Sequence, residues 1–292
     1  MALHTLQSGA LRVIISDAGA EIMQIEDILT GRNYLWHGDS AYWGRRSPIL
    51  FPIVGGLKNK TYKYAGREYP MSQHGFARDR EFQMTEHNVD TIWFELKADE
   101  ESLKVYPFRF RLEIGYRLEG RKITVMWRVA NEDKKTMFFS IGGHPAFMCP
   151  IDGEGKQTDY YLLFDNKEPL SYGKLSANGL LETEGHTLDI GGGCMPITEH
   201  MFDEDALVIE GGQAHQVALA GSDKKPYLTV KFDAPLFGLW SPAKKHAPFV
   251  CIEPWYGRCD RESFAGMLAD REYGNELRPG KIFETEYTII AE

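Results

Sequence analysis

One carboxylate, Glu253, stands inside the apolar run FVCIEPWYG at residues 249–257. The β-branched residues before it predict a short buried strand that ends at Pro254. Burying a carboxylate is costly unless it is paired or used, and apolar surroundings raise a carboxyl pKa toward the range of a general base. A structural ion pair with Arg258 or Arg261, which follow closely in sequence, is the alternative interpretation.

Two histidines are held in glycine-containing turns. His144 follows two glycines and precedes Pro145, and His74 precedes Gly75. Imidazole titrates near neutrality and is therefore a natural proton donor or acceptor. An isolated histidine is more often structural, but two of them together with Glu253 form a rarer set. Because no His-x-His or His-Glu-x-x-His spacing occurs, the set favours acid–base chemistry over a metal site.

Arginines accompany these groups. Arg45 and Arg46 precede a proline-bracketed apolar run, and Arg78 stands next to Asp79. A guanidinium presents a rigid fork of donors that suits hydroxyls or a carboxylate. A surface arginine and a structural Arg78–Asp79 pair are the alternatives. The Gly-Gly pair at residues 55–56 does not open a helix, so a phosphate-binding loop is not indicated.

Many short strands would position these residues. Period-two alternation recurs along the chain, whereas helical periodicity is scarce. A hairpin with a tight turn at Ala65-Gly66 is predicted, as is a short helix over residues 263–269 capped by Ser263. The other predicted strands cover residues 11–16, 21–27, 34–37, 82–86, 91–98, 108–118, 122–131, 160–164, 206–210, 216–220, 227–232, 237–240 and 283–290. The pattern predicts an all-β antiparallel sandwich or barrel that forms one domain over residues 1–292.

Composition excludes several functional classes. The chain has 292 residues and a net charge of −9, and this acidity argues against a nucleic-acid partner. Its four cysteines form no C-x-x-C pair, so free thiols in the cytoplasm are expected. The N-terminus lacks a signal-peptide pattern, and no apolar stretch is long enough to cross a bilayer. The expected protein is cytoplasmic, with no membrane partner.

Four motifs in order resemble the aldose 1-epimerase (galactose mutarotase-like) family. They are RSPILFP at residues 46–52, HGFAR at 74–78, GGHPAF at 142–147 and IEPW at 252–255. Each motif is moderately specific, but their order is strongly so, and the resemblance covers about residues 6–290. It implies a large twisted antiparallel β-sandwich with a sugar cleft on one face. It also implies a cofactor-free interconversion of the α and β anomers of an aldose.

The resemblance assigns roles to the acid–base set. Glu253 matches the general base, His144 the general acid, and His74 the second histidine, which holds the sugar near its ring oxygen. Mutarotation needs a proton removed from the C1 hydroxyl and a proton given to the ring oxygen, so a carboxylate and an imidazolium on opposite sides of the hemiacetal suffice.

The resemblance also implies sugar-binding residues. Arg46 matches the sugar-binding arginine, with Arg45 adjacent as an alternative. The family's aspartate before a late strand corresponds to Asp205 or Asp203, and Asp205 is the choice made here. Trp240 is a candidate to cover the apolar face of the sugar, as are Trp43, Trp255 and Tyr256, although most such aromatics belong to cores.

The chain departs from the better-studied galactose mutarotases after the acid histidine. It has Pro145-Ala146-Phe147 where they have a Tyr-Phe-Asn-like run, so a preference for galactose does not follow. The HGFAR motif also occurs in related glucose-6-phosphate 1-epimerases, in which case Arg78 would contact a phosphate. Besides an aldose 1-epimerase, a hexose-6-phosphate 1-epimerase and a non-catalytic sugar-binding protein remain candidates. A glycosidase ranks last, since it normally needs two carboxylates. The expected partner is a small sugar, with no cofactor or metal, in a monomer or homodimer.

Overall fold

A computed structural model describes all 292 residues, and nearly all of its regular structure is β. The strands in chain order are β1 (Leu3–Gln7), β2 (Leu11–Ser16), β3 (Ile22–Asp27), β4 (Ile49–Leu50), β5 (Thr61–Tyr64), β6 (Arg67–Pro70), β7 (Gln83–His87), β8 (Thr91–Lys97), β9 (Phe110–Glu119), β10 (Lys122–Asn131), β11 (Met137–Phe139), β12 (Ile141–Gly143), β13 (Ala146–Met148), β14 (Tyr161–Phe164), β15 (Leu170–Leu175), β16 (Leu181–Leu188), β17 (Cys194–Pro196), β18 (Leu207–Glu210), β19 (Gln216–Ala220), β20 (Pro226–Phe232), β21 (Leu236–Trp240), β22 (Phe249–Tyr256), β23 (Asn275–Leu277) and β24 (Ile282–Ala291). The α-helix is α1 (Glu100–Val105), and short 3-10 turns lie at Lys58–Lys60, Ala77–Asp79, Ile151–Gly153, Gln157–Asp159 and Leu268–Asp270. None of these helices is long and apolar enough to cross a membrane.

Two large antiparallel sheets form the sandwich. One has nine strands in the order β17-β14-β19-β20-β24-β10-β9-β8-β7, and the other has eight, β16-β15-β18-β21-β22-β12-β4 with β13 also paired to β22. Ile123, Val125 and Trp127 alternate along β10 into a core cluster of 64 residues, which also contains Ile141 and Ile252 of the eight-stranded sheet. The predicted antiparallel β-sandwich is thereby confirmed. That the chain forms one domain stays a prediction.

The ends of most predicted strands lie within two residues of the ends of an observed strand, and the strand predicted at residues 122–131 coincides with β10. The predicted hairpin is β5–β6, where Ala65 and Gly66 adopt φ angles of 49° and 75°. The strand predicted at residues 34–37 is wrong. That segment makes one isolated bridge, between Leu35 and Phe147, and it is followed by Gly38, where φ is 82°.

The helix predicted over residues 263–269 is also wrong, since only a 3-10 turn at Leu268–Asp270 forms there. Gly266 disfavours a helix in this segment, and the Asp270 side chain accepts from the backbone N–H of Met267 at 2.7 Å to cap the tighter turn. The α-helix that does form, α1, was not predicted. Its signal is a capping box at its first turn.

The strand carrying Glu253 does not end at Pro254 but continues to Tyr256, so Glu253 lies inside it. On one side β22 pairs with β21 over residues 251–255. On the other side β13 pairs with residues 249–251 and β12 with residues 255–256, which leaves a gap. The backbone N–H of Ile252 points toward the side of the gap and donates to the carbonyl oxygen of Pro145. Residue 254, two positions further along the strand, would point its N–H to the same side, but proline has none. The proline therefore breaks no ladder bond.

Candidate active site

A cavity of about 370 Å3 lies at this gap, within the range of about 300–1,000 Å3 that small-ligand pockets occupy. Separate segments meet on its wall: the loop before β4, the loop after β6, the β12–β13 connection, the segment before β18, and strands β21 and β22. Of the residues predicted from sequence, the wall includes His74, Arg78, His144, Asp205, Trp240 and Glu253. Residues far apart in the chain thus meet in one small-ligand site.

Glu253 and His144 form a buried pair at the floor of the site. Glu253 Oε2 and His144 Nδ1 lie 3.3 Å apart, and the two residues are only 1% and 7% exposed. Neither atom makes a hydrogen bond. The remaining atoms, Oε1 and Nε2, also have no protein partner, but they are not sealed from the cavity. The alternative partner Arg258 is engaged elsewhere, with Glu210 and Glu272.

Burial sets the charge state of this pair. It raises the pKa of Glu253 well above its ordinary value of 4.5, and the charge of Asp205 adds to the rise, while the nearby indole N–H of Trp255 opposes it. Burial, followed by the charges of Arg78 and Arg45, lowers the pKa of His144 to about 3. Burial therefore disfavours the charged form of both groups, the carboxylate of Glu253 and the imidazolium of His144.

Two tryptophans fix the His144 ring. Trp43 stacks on it with ring centroids 4.7 Å apart and planes 28° apart, and Trp240 meets it edge-on at 5.3 Å and 90°. The backbone carbonyl of Trp43 accepts from Trp36 Nε1 at 2.8 Å, which anchors the stacking partner. The aromatic contacts leave the imidazole little freedom, so its two nitrogens keep their directions toward Glu253 and the cavity.

His74 is held by a reciprocal pair of hydrogen bonds with Gly55. The backbone N–H of Gly55 donates to the ring nitrogen Nδ1 of His74 at 3.1 Å. The backbone N–H of His74 donates in return to the carbonyl oxygen of Gly55 at 2.9 Å. Burial, with the charges of His144, Arg78 and Arg45, lowers the pKa of His74 well below 6.5. The neutral ring therefore carries its proton on Nε2 and offers a donor to the cavity. The φ of 67° at His74 marks a strained backbone of the kind found at functional sites.

Of the two adjacent arginines, Arg45 lines the cavity and Arg46, the residue chosen from sequence, does not. The carboxylate of Glu21 accepts from the backbone N–H of Arg46 at 2.8 Å, and Arg46 Nη1 donates to Met23 O at 2.7 Å. These bonds direct the Arg46 side chain away from the site. The guanidinium of Arg45 faces it instead, with Nη2 2.6 Å from Asp79 Oδ1.

Arg78 adds a second guanidinium to the wall. Its Nη2 donates to Gln73 O at 2.8 Å, but its Nε is buried without a partner. The nearest carboxylate oxygen, on Asp79, lies 3.9 Å away. Burial and the charge of Arg45 lower the pKa of Arg78 to about 10. The proposed Arg78–Asp79 pair is thus a loose contact, and Arg78 retains unused donor capacity.

Asp205, rather than Asp203, lies on the cavity wall. Its φ is 73°, and its Oδ1 accepts from the N–H of Ala206 at 2.8 Å, which leaves Oδ2 free. Asp203 instead pairs with His200 Nδ1 at 2.8 Å. The strained backbone at Asp205 orients an exposed acceptor into the site.

Trp255 occupies a slot between two glycines on the neighbouring strands. A Cβ at Gly142 or at Gly238 would lie 2.6 Å or 2.4 Å from the indole ring. Glu253 and Trp255 project from the same face of β22, and the indole Nε1 is buried without a partner. Sequence reasoning treated Trp255 only as a possible sugar-facing aromatic. Gly142 lies opposite Trp255 and Gly238 lies opposite Glu253, and the lack of side chains at both glycines leaves room for the indole ring.

Comparisons with known proteins show which family the chain belongs to. A sequence model described as aldose 1-epimerase matches residues 2–263. Protein LacX of Lactococcus lactis subsp. lactis is 32% identical, with 97% of each chain covered. A galactose mutarotase related enzyme from Lactobacillus acidophilus is 34% identical with a TM-score of 0.95, covering 100% of this chain and 97% of the other. A galactose mutarotase-like protein from Lactobacillus casei is 28% identical with a TM-score of 0.92 and covers 100% of both chains. The chain belongs to the aldose 1-epimerase family.

Proposed function

We propose that this protein is an aldose 1-epimerase that interconverts the α and β anomers of a hexose without a cofactor. The observation that carries the proposal is the buried Glu253–His144 pair, with 3.3 Å between Oε2 and Nδ1. Family membership supports an isomerase in general terms. A lectin needs no such pair, because ordinary hydrogen bonds are enough to bind a sugar and a shared proton adds nothing to them.

The reaction uses the two cavity-facing atoms of the pair. Glu253 Oε1 accepts the proton of the C1 hydroxyl while His144 Nε2 donates a proton to the ring oxygen. The bond between C1 and the ring oxygen breaks, and C1 becomes an aldehyde carbon. After rotation about the C1–C2 bond, the same proton transfers run backwards and the ring closes on the other face. Each positioned transfer is typically worth about 10²–10⁴-fold.

The proton count of the pair fits a reversible reaction. One group takes a proton as the other gives one, so the pair holds one proton before ring opening, after it and after closure. Burial disfavours the charged form of each group, as the directions of the two pKa shifts indicate. In one form the proton is on His144, which gives an ion pair with the Glu253 carboxylate. In the other form it is on Glu253, and both groups are neutral. The two forms differ only in the position of this proton, so the two residues titrate as one coupled system.

The remaining wall residues bind the sugar in this proposal. His74 Nε2–H donates near the ring oxygen, where negative charge develops. Arg45, Arg78 and Asp205 take the hydroxyls, and Trp240 covers an apolar face of the ring. A cytoplasmic location and a monomeric or homodimeric state stay predictions.

A hexose 6-phosphate is a second candidate substrate, and one observation favours it. Arg45 and Arg78 bring two positive charges to one wall, and Arg78 Nε has no partner. A phosphate would supply acceptors for these donors. The carboxylate of Asp79, which already pairs with Arg45, weakens the case.

Polarimetry on freshly dissolved α-glucose, α-galactose and α-glucose 6-phosphate tests the proposal. We expect faster equilibration of a free sugar with the wild type and loss of this acceleration in Glu253→Gln. Acceleration of the phosphosugar alone would establish the second candidate instead. Saturable binding of a sugar with no acceleration of any of the three would make the protein a sugar-binding module and contradict the proposal.

A further inference from the structure

Cys251 brings a third potential metal ligand to the catalytic pair. It precedes Glu253 by two residues on β22, so the two side chains project from the same face of the strand. The sulfur of Cys251, a carboxylate oxygen of Glu253 and a ring nitrogen of His144 all lie within 4.8 Å of one another. All three residues are buried. The sequence offered no metal motif, because the ligands come from a strand and from a separate turn.

Two of the three donor atoms have unused lone-pair capacity. His144 Nδ1 and Glu253 Oε2 are buried without a hydrogen bond, although they lie 3.3 Å apart. Metal–ligand lengths of about 2.0–2.3 Å at tetrahedral angles put donor atoms about 3.3–3.8 Å from each other. The nitrogen–oxygen separation already has this value. The sulfur lies within 4.8 Å of both atoms, at most about 1.5 Å beyond the lower end of this range.

The donor set selects a class of ion. Thiolate and imidazole favour Zn²⁺ and similar borderline ions over Mg²⁺ and Ca²⁺, which prefer oxygen ligands throughout. Bound as thiolate, carboxylate and neutral imidazole, the ligands cancel the two positive charges of the ion, so a neutral unit is buried. Three protein ligands leave a fourth position for water or a substrate hydroxyl.

We propose that Cys251, His144 and Glu253 form an inhibitory site for Zn²⁺ and similar divalent ions. The ion takes the place of the proton that Glu253 Oε2 and His144 Nδ1 share, so its binding and epimerisation exclude each other. Binding itself is independent of the proposed function. Only the inhibition rests on it.

Titration of the whole protein with Co²⁺ as a spectroscopic substitute for Zn²⁺ tests the binding. We expect one Co²⁺ per chain with a thiolate-to-metal charge-transfer band that Zn²⁺ abolishes. Cys251→Ala should lose the band, with Cys251→Ser as a second variant that keeps the side-chain volume. Cys259→Ala is the matched control, because Cys259 is also buried and lines the same cavity but lies outside the cluster. The absence of a band in the wild type, or its persistence in Cys251→Ala, would overturn the site.

Mutarotation assays test the inhibition. Zn²⁺ should inhibit the wild type and Cys259→Ala, with recovery on addition of a chelator. Cys251→Ala, compared with its own metal-free rate, should need at least about tenfold more Zn²⁺, since loss of even an outer partner of a metal ligand costs that much affinity. Equal inhibition of both variants would refute the role of the thiol. Charge-transfer bands without turnover of any sugar would sink the proposed function but leave the metal site standing.

Discussion

Two buried clusters of ionisable side chains in this fold differ in whether their polar atoms have partners. In the first, Arg271 donates to Asp260 at 2.8 Å and to Ser140 and Arg258 through its other nitrogens. The second Asp260 oxygen accepts from the Lys58 N–H at 3.0 Å. In the other cluster, Glu253 and the nearest nitrogen of His144 make no hydrogen bond at all.

The contrast distinguishes structure from chemistry. Buried polar groups are nearly always satisfied, so an unsatisfied pair needs an explanation. The Arg271 cluster holds the chain after β22 in place, and every side-chain nitrogen of Arg271 and both carboxylate oxygens of Asp260 have a hydrogen-bond partner. The Glu253–His144 pair keeps two of its atoms toward a cavity and has strongly shifted pKa values, as catalytic groups often do.

The largest expected effect on stability concerns the satisfied cluster. Arg271→Met leaves the Asp260 carboxylate buried without its charge partner, and such a change typically costs about 3–5 kcal/mol. Urea denaturation measures the loss in free energy of unfolding. Lys104→Met is the control, because Lys104 pairs with Glu101 on the surface and should change stability by about 0.5 kcal/mol or less. Similar losses in the two variants would show that the buried Arg271–Asp260 pair matters no more to stability than a surface pair does.

A substitution in the unsatisfied Glu253–His144 cluster should raise the free energy of unfolding, whereas Arg271→Met lowers it. The folded pKa of Glu253 is raised above its unfolded value, so the stability it contributes is complete below pH 4.5 and is lost as pH rises toward the folded pKa. Glu253→Gln carries no carboxylate and avoids this loss, which amounts to about 1.4 kcal/mol per pKa unit of rise. We expect the variant to be more stable than the wild type at pH 8 and nearly equal at pH 4. Thermal unfolding at both pH values checks this, and a destabilised variant at pH 8 would contradict it.

A smaller effect concerns the positive charges around His144. Burial and then Arg78 lower its pKa to about 3, so neutral His144 stabilises the fold above pH 6.5 and this contribution is lost as pH falls toward 3. Arg78→Gln removes one charge and should move the acid limb of kcat/KM to higher pH. Arg80→Gln is the control, since Arg80 pairs with Asp99 away from the cavity. An unchanged acid limb in Arg78→Gln would show that this guanidinium does not influence the pair.

Much of this site could be predicted from local sequence. The alternation of β10 gave its exact bounds, and the motifs around His74, His144 and Glu253 located residues that meet on one wall. Such signals are local: side-chain period along a strand, and glycine or proline next to a functional group.

What escaped prediction depends on residues distant in the chain. Arg45 rather than Arg46 faces the cavity because the Glu21 carboxylate, 25 residues earlier, accepts from the Arg46 N–H. The strand passes Pro254 because its neighbours leave a gap there, which the run itself does not reveal. Strand β16 was missed because its middle residues are exposed and show no apolar alternation.

The central claim is that Glu253 and His144 act as one unit through a shared proton, and a double-variant cycle tests it most directly. We would measure kcat/KM for mutarotation in the wild type, Glu253→Gln, His144→Gln and the double variant. Each single variant should lose about 10²–10⁴-fold, and the double variant should lose little more than either, because groups that act together are strongly non-additive. Losses that multiply in the double variant would contradict the account, since they would show that the two residues work independently.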